Sequence, residues 1–215
     1  RAIENYNSDF SHWSFQKGLE AGDTMNLIYP DDTWRYWDQG SYPGDDWKQR
    51  SFDDSNWPEG CATLGYANAN ICTELSFGTD ASNKHLTYLF RLEFNVEDPA
   101  SWKGLVVDLL RDDGAAVYLN GTQVVVSNLP DNFTFGSEAT EGVSGDDELK
   151  YYGFPVSSDL LVEGINVLAV EVHQVNAESS DLSFNLGLKA IASEGEGTPE
   201  IYYSTQFPLT QIAYS

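Results

Sequence analysis

Apolar and polar residues alternate along this chain with a period of two, in short runs closed by Gly, Asn, Asp and Pro, while helical periodicity is nearly absent. From Leu86 to Val96 one side carries Leu86, Tyr88, Phe90, Leu92, Phe94 and Val96, and the other Thr87, Leu89, Arg91, Glu93 and Asn95. This predicts a strand with one buried face. The run from Leu182 to Ala190 repeats the pattern, with Leu182, Phe184, Leu186 and Leu188 inward and Ser183, Asn185 and Lys189 outward. Between Ile165 and Val172 the chain is almost continuously apolar, as suits a central strand covered on both faces. The two patterns together predict two packed sheets.

Leu105 to Ser127 reads as strand, turn, strand, turn, strand. Asp112-Asp113-Gly114 supplies the first turn, and Asn120-Gly121, whose residues tolerate the positive φ of a two-residue hairpin turn, supplies the second. A β-meander near the centre of the fold is expected. The fold class is therefore all-β, a two-sheet antiparallel β-sandwich spanning residues 25–192. Residues 1–24, with Trp13 and Phe15, are expected to pack onto it. Residues 193–215 read as a linker, Ser193 to Pro199, followed by a tail or edge strand.

Composition narrows the partners. At 215 residues, one domain with a sizeable core is the expectation, and no apolar run approaches the roughly 18 residues of a membrane span. The formal net charge of −23 repels nucleic acid and anionic membranes, and disfavours polyanionic ligands unless a divalent cation bridges them. High acidity also serves solubility in saline or calcium-rich surroundings. Cys61 and Cys72 lie in one Gly- and Asn-rich stretch and are too few for a zinc site. A loop-stapling disulfide is the favoured reading and implies an oxidising, extracellular or cell-surface location; two unpaired thiols are the alternative. The chain opens at Arg1 without a leader, as expected of a processed secreted protein or of a piece of a larger one.

Several phrases in succession then become informative: Trp34-Arg35-Tyr36, Ser51-Phe52-Asp53-Asp54-Ser55 with Trp57, Leu64-Gly65-Tyr66, Tyr88-Leu89-Phe90-Arg91, Asp112-Asp113-Gly114 with Tyr118-Leu119-Asn120-Gly121, and Ala169-Val170-Glu171-Val172-His173-Gln174 followed by Ser179-Ser180-Asp181-Leu182. In order and spacing they resemble the galactose-binding-like jelly rolls appended to bacterial secreted hydrolases, phosphoesterases and surface proteins. The resemblance implies an eight- or nine-stranded jelly roll, commonly with a structural calcium, serving as a carbohydrate-binding or other accessory module beside further domains. It names no sugar.

Catalysis finds little support. His12, His85 and His173, with Ser179, Ser180 and Asp181, supply side chains for a triad but no geometry, and there is no Gly-x-Ser-x-Gly elbow, His-Glu-x-x-His or phosphate-cradling loop. Calcium takes six to eight oxygens, typically from carboxylates and turn carbonyls. Asp112, Asp113, Asp146, Asp147 and Glu148 are the ligand candidates, although turn chemistry is the favoured reading of Asp112-Asp113. Sugar sites set aromatic faces against pyranose CH faces while polar groups hold the hydroxyls. With Trp34, Tyr36 and Trp57 assigned to the core, Trp37, Tyr42, Trp47, Tyr151 and Tyr152 form the expected aromatic platform. A second candidate site joins Arg91, Asp113, His173 and Gln174 on an exposed concavity, the alternative being a stabilising polar network. These residues point to a non-catalytic carbohydrate-binding module, with a structural or adhesive spacer as the alternative.

Overall fold

A computed structural model describes residues 22–68 and 70–193, so the expectations for the N-terminal extension and for the tail lie outside the described residues. Twelve strands are described: β1 (Thr24–Ile28), β2 (Thr33–Trp37), β3 (Glu59–Cys61), β4 (Leu64–Tyr66), β5 (Thr73–Glu74), β6 (Thr87–Val96), β7 (Trp102–Asp112), β8 (Gly114–Leu119), β9 (Thr122–Ser127), β10 (Tyr152–Val156), β11 (Gly164–His173) and β12 (Leu182–Ala192). One sheet runs β10-β7-β12-β4-β5, with β1 also on β12, and the other runs β3-β2-β6-β11-β8-β9. Every pairing is antiparallel except the short β4–β5 contact. The fold is the expected two-sheet β-sandwich, with twelve described strands where the resemblance implies eight or nine, the short β3, β4 and β5 among them.

The core between the sheets comes from the inward positions that the alternation marks on β6 and β12 and from the continuous apolar run of β11. Tyr88 and Phe90 on β6, Leu168 and Val170 on β11, and Phe184, Leu186 and Leu188 on β12 are all buried. Phe184 stacks on Phe90 at 4.1 Å between centroids and takes the edge of Trp34 at 5.1 Å. Each such side chain contributes about 1.5–3 kcal/mol by leaving water.

Two expectations need correction. The meander does not form, because β7 and β8 lie in different sheets: Asp112 pairs with Ser183 on β12, while Gly114 pairs with His173 on β11. Asp112-Asp113-Gly114 carries the chain across the sandwich instead of reversing it. The Asn120-Gly121 hairpin is real, with φ of 51° and 87° and Leu119 opposite Thr122. The expected single buried face of Leu86–Val96 is the second correction. Thr87, Leu89 and Arg91 are as buried as the inward residues, since loops cover the outer face there. On that outer face Trp47, Trp57, Leu89, Ala116, Tyr118, Val167 and Ala169 form a second apolar cluster. β11 is accordingly covered on both sides, as its continuous apolar run predicts.

The cysteines are bonded to each other, Cα atoms 5.7 Å apart, which removes the unpaired-thiol alternative and ties the end of β3 to the residue before β5. Among the described residues no helix is long and apolar enough to cross a membrane.

Candidate functional site

Trp47 and Tyr118 of the second apolar cluster floor an open groove of about 670 Å³ on the outer face of the β2-β6-β11-β8-β9 sheet. β8 and β11 present Tyr118 and Glu171 outward, and β9 adds Gln123. One wall is the loop after β2, whose Tyr42, Asp45, Trp47 and Lys48 face the groove. It is shaped by Gly40 and Gly44, at φ of 64° and 104°, conformations that glycine adopts without strain. The other wall is Asn132 to Gly136, from the long segment between β9 and β10. The walls meet where Tyr42 packs on Phe135, centroids 5.3 Å apart.

The polar residues expected to touch ligand are buried, and Arg91 and His173 bond to the walls of this groove. Arg91 is fully buried: its Nε donates to Asp54 Oδ2 at 2.7 Å, and its NH1 donates to the carbonyls of Trp47 and Gln49. It pins the first wall from beneath. His173, also fully buried, sets Nδ1 2.8 Å from the Ser137 carbonyl and Nε2 3.1 Å from Glu171. Beside it the Thr87 hydroxyl donates to the Phe135 carbonyl, and the Tyr118 hydroxyl donates to Glu171 Oε1 at 2.5 Å. These bonds pin the second wall. Gln174 is buried and donates to the Tyr66 hydroxyl and the Asp181 carbonyl. Arg91, Asp113, His173 and Gln174 are all buried and do not meet in one concavity: each is bonded to different partners. Ser180 donates to Asp181, and no hydrogen bond links Ser179 or Ser180 to His173 among the described residues.

The aromatic expectations divide. Tyr42 and Trp47 both line the groove; Tyr42 is 45% exposed, whereas Trp47 is 1% exposed and sets its ring edge-on to Tyr118. Trp37 stacks on Trp57 at 5.5 Å and donates from its indole to the Ser41 carbonyl, so it supports the loop. Tyr151 precedes β10 and Tyr152 opens it, at the edge of the other sheet, and neither lines the groove with Tyr42. Tyr118, Phe133, Phe135 and Glu171 were not singled out as ligand contacts from sequence. The alternation of Phe133 and Phe135 within an otherwise polar loop was the available signal.

Two carboxylates, Asp45 and Glu171, line the groove together with the ammonium of Lys48. Burial, then the hydrogen bond to Asp45 and the charges of Asp45, Glu171 and Asp46, push the Tyr42 hydroxyl up to about 12. Tyr118 is raised by burial and by Glu171.

The acidic calcium candidates have local partners. Asp113 accepts the backbone N–H groups of Val143 and Val175 at 2.6 and 2.7 Å, stapling two loops to the crossing. Asp112 is buried, and burial, together with the neighbouring Asp113, raises its carboxyl far above the usual range. Asp147 pairs with Lys150, Glu148 accepts from Gly145 N–H and Asn68, and Asp146 lies with them in one short 3-10 turn. Among the described residues no three His, Cys, Asp or Glu side chains are grouped to hold a metal.

No family model matches this chain, and no curated protein matches it significantly. Solved structures do. A calcium-binding mutant of a Bacteroides uniformis β-glucuronidase is similar over 79% of this chain at 15% identity and TM-score 0.51, and a β-glucuronidase of glycoside hydrolase family 2 over 80% at 15% and 0.50. A Bacteroides vulgatus β-glycosidase is similar over 78% at 17% and 0.47. The likeness is one of fold. This chain spans about a fifth of those enzymes, 18% of the first two and 20% of the third.

Proposed function

We propose that this chain is a non-catalytic carbohydrate-binding module of a larger secreted or cell-surface protein. The observation that carries the reading is the groove. An exposed tyrosine and the ring edges beneath it offer CH-binding surface, while Gln123 and Asn132 project amides that make no hydrogen bond to another described residue and stand ready for hydroxyls. The walls are fixed from below by Arg91 and His173, so the site is largely formed before ligand arrives, which lowers the ordering cost of binding. The occurrence of a similar sandwich within glycosidase chains supports an accessory role beside other domains.

Affinity-gel electrophoresis against a polysaccharide panel, with wild type and Tyr42→Ala, tests this. Retardation by at least one polysaccharide, lost in Tyr42→Ala, is expected. No retardation by any of them would favour the spacer reading.

A further inference from the structure

The groove already holds a cation, the protein's own. Lys48 Nζ lies 4.7 Å from the ring centroid of Tyr118 and 5.9 Å from that of Trp47, and among the described residues it makes no ion pair. An ammonium over aromatic faces is held by the ring quadrupole, more strongly where water is partly excluded. The carboxylates of Asp45 and Glu171 line the same groove. Glu171 is spent on Tyr118 and His173, so it contributes field without a vacant oxygen. Asp45 is exposed and accepts from Tyr42 through Oδ1, and no described residue bonds its Oδ2. Burial first, then the hydrogen bond to Asp45 and the charges of Asp45, Glu171 and Asp46, push the hydroxyl of Tyr42 upward. Around it the chain carries a net charge of −23, which concentrates cations at its surface and repels uronic and sulfated glycans.

From these contacts we infer that the groove selects amine-bearing glycans, de-N-acetylated amino-sugar chains whose ammonium binds among Tyr42, Asp45 and Tyr118 in competition with Lys48. The inference rests on the carbohydrate-binding reading and narrows it to one charge class. An N-acetyl group would remove the charge that the site attracts. Lys48 acts as an internal occupant that a ligand ammonium displaces toward solvent.

Isothermal titration at a pH where the sugar amine is protonated, with glucosamine oligosaccharides, their N-acetylated counterparts and oligogalacturonides of equal length, tests it on the full chain. The amine form is expected to bind roughly tenfold more tightly than the N-acetylated form, a factor in keeping with one cation–π and carboxylate contact. Lys48→Met is expected to tighten amine binding severalfold by removing the competitor, and Asp45→Asn to weaken it severalfold. Equal affinity for the amine and N-acetylated forms overturns the charge inference and leaves the sugar reading standing. Preferential binding of oligogalacturonide, abolished in Lys48→Met, overturns it by making Lys48 an anion contact. Amine binding that both variants leave unchanged overturns it as attraction to the acidic surface at large. If none of the three binds and the polysaccharide panel also fails, it is the carbohydrate reading itself that fails.

Discussion

Replacing Arg91 should cost the module much of its stability and loosen the groove together with it. The guanidinium is fully buried, bonded to Asp54 at 2.7 Å and to the carbonyls of Trp47 and Gln49, with the ring of Phe52 5.3 Å away. Arg91→Met keeps most of the volume and leaves Asp54 and two carbonyls without their donor. Breaking a buried charge pair costs about 3–5 kcal/mol. Asp54 is 13% exposed and keeps Arg35 Nε at 3.4 Å, which places the expected loss near the lower end, about 3 kcal/mol. At a slope of about 2 kcal/mol per molar urea, the midpoint should fall by roughly 1.5 M. Urea unfolding followed by tryptophan fluorescence measures this, and any folded Arg91→Met should also bind glycan more weakly, because the Trp47 wall has lost its anchor. A midpoint within about 0.3 M of wild type, roughly 0.6 kcal/mol, would refute the reasoning.

Other expectations follow from the crossing and the loops. Asp112 has its folded pKa raised from 3.8 to about 9, so the native state holds the proton more tightly than the unfolded chain; its contribution is fully present below about pH 4 and is lost as pH rises through about 9. Asp112→Asn, which cannot ionise, should gain on wild type in urea midpoint between about pH 5 and pH 9, and parallel profiles would contradict the assignment. Reducing the Cys61–Cys72 bond, 11 residues apart in sequence, should remove about 2–3 kcal/mol, seen as a lower Tm with dithiothreitol that Cys61→Ser/Cys72→Ser reproduces without it. Tyr151→Ala should leave glycan binding unchanged, since Tyr151 precedes an edge strand of the other sheet; a loss equal to that of Tyr42→Ala would relocate the site. Calcium removal tests the ion expected from the acidic loops: a Tm that falls with EDTA and returns with calcium supports it, and an unchanged Tm removes it from the account.

The sandwich was legible because period-two alternation reports which side of a strand meets the core, and Phe90 and Phe184 sit where the pattern put them. The partner of each strand was not. Asp112-Asp113-Gly114 has the same turn composition whether the chain reverses within a sheet or crosses to the other, and that choice is made by distant pairings with Ser183 and His173. The second buried face of β6 was hidden for a related reason: Arg91 reads as a surface residue until Asp54 and the Trp47 loop fold over it. Of the site, Tyr42 and Trp47 were readable as loop aromatics. Glu171 and Tyr118, which join it to the sheet, were not, because their role arises only where two strands and a long loop meet.

The central claim is that a glycan occupies this groove, and the most direct measurement is amide and indole chemical-shift mapping while the best-binding oligosaccharide is titrated in. Shifts concentrated at residues 42–48, at 132–136 and at the Trp47 indole are the predicted result. Shifts confined to Tyr151 and Tyr152, or no shifts at saturating sugar, would contradict it.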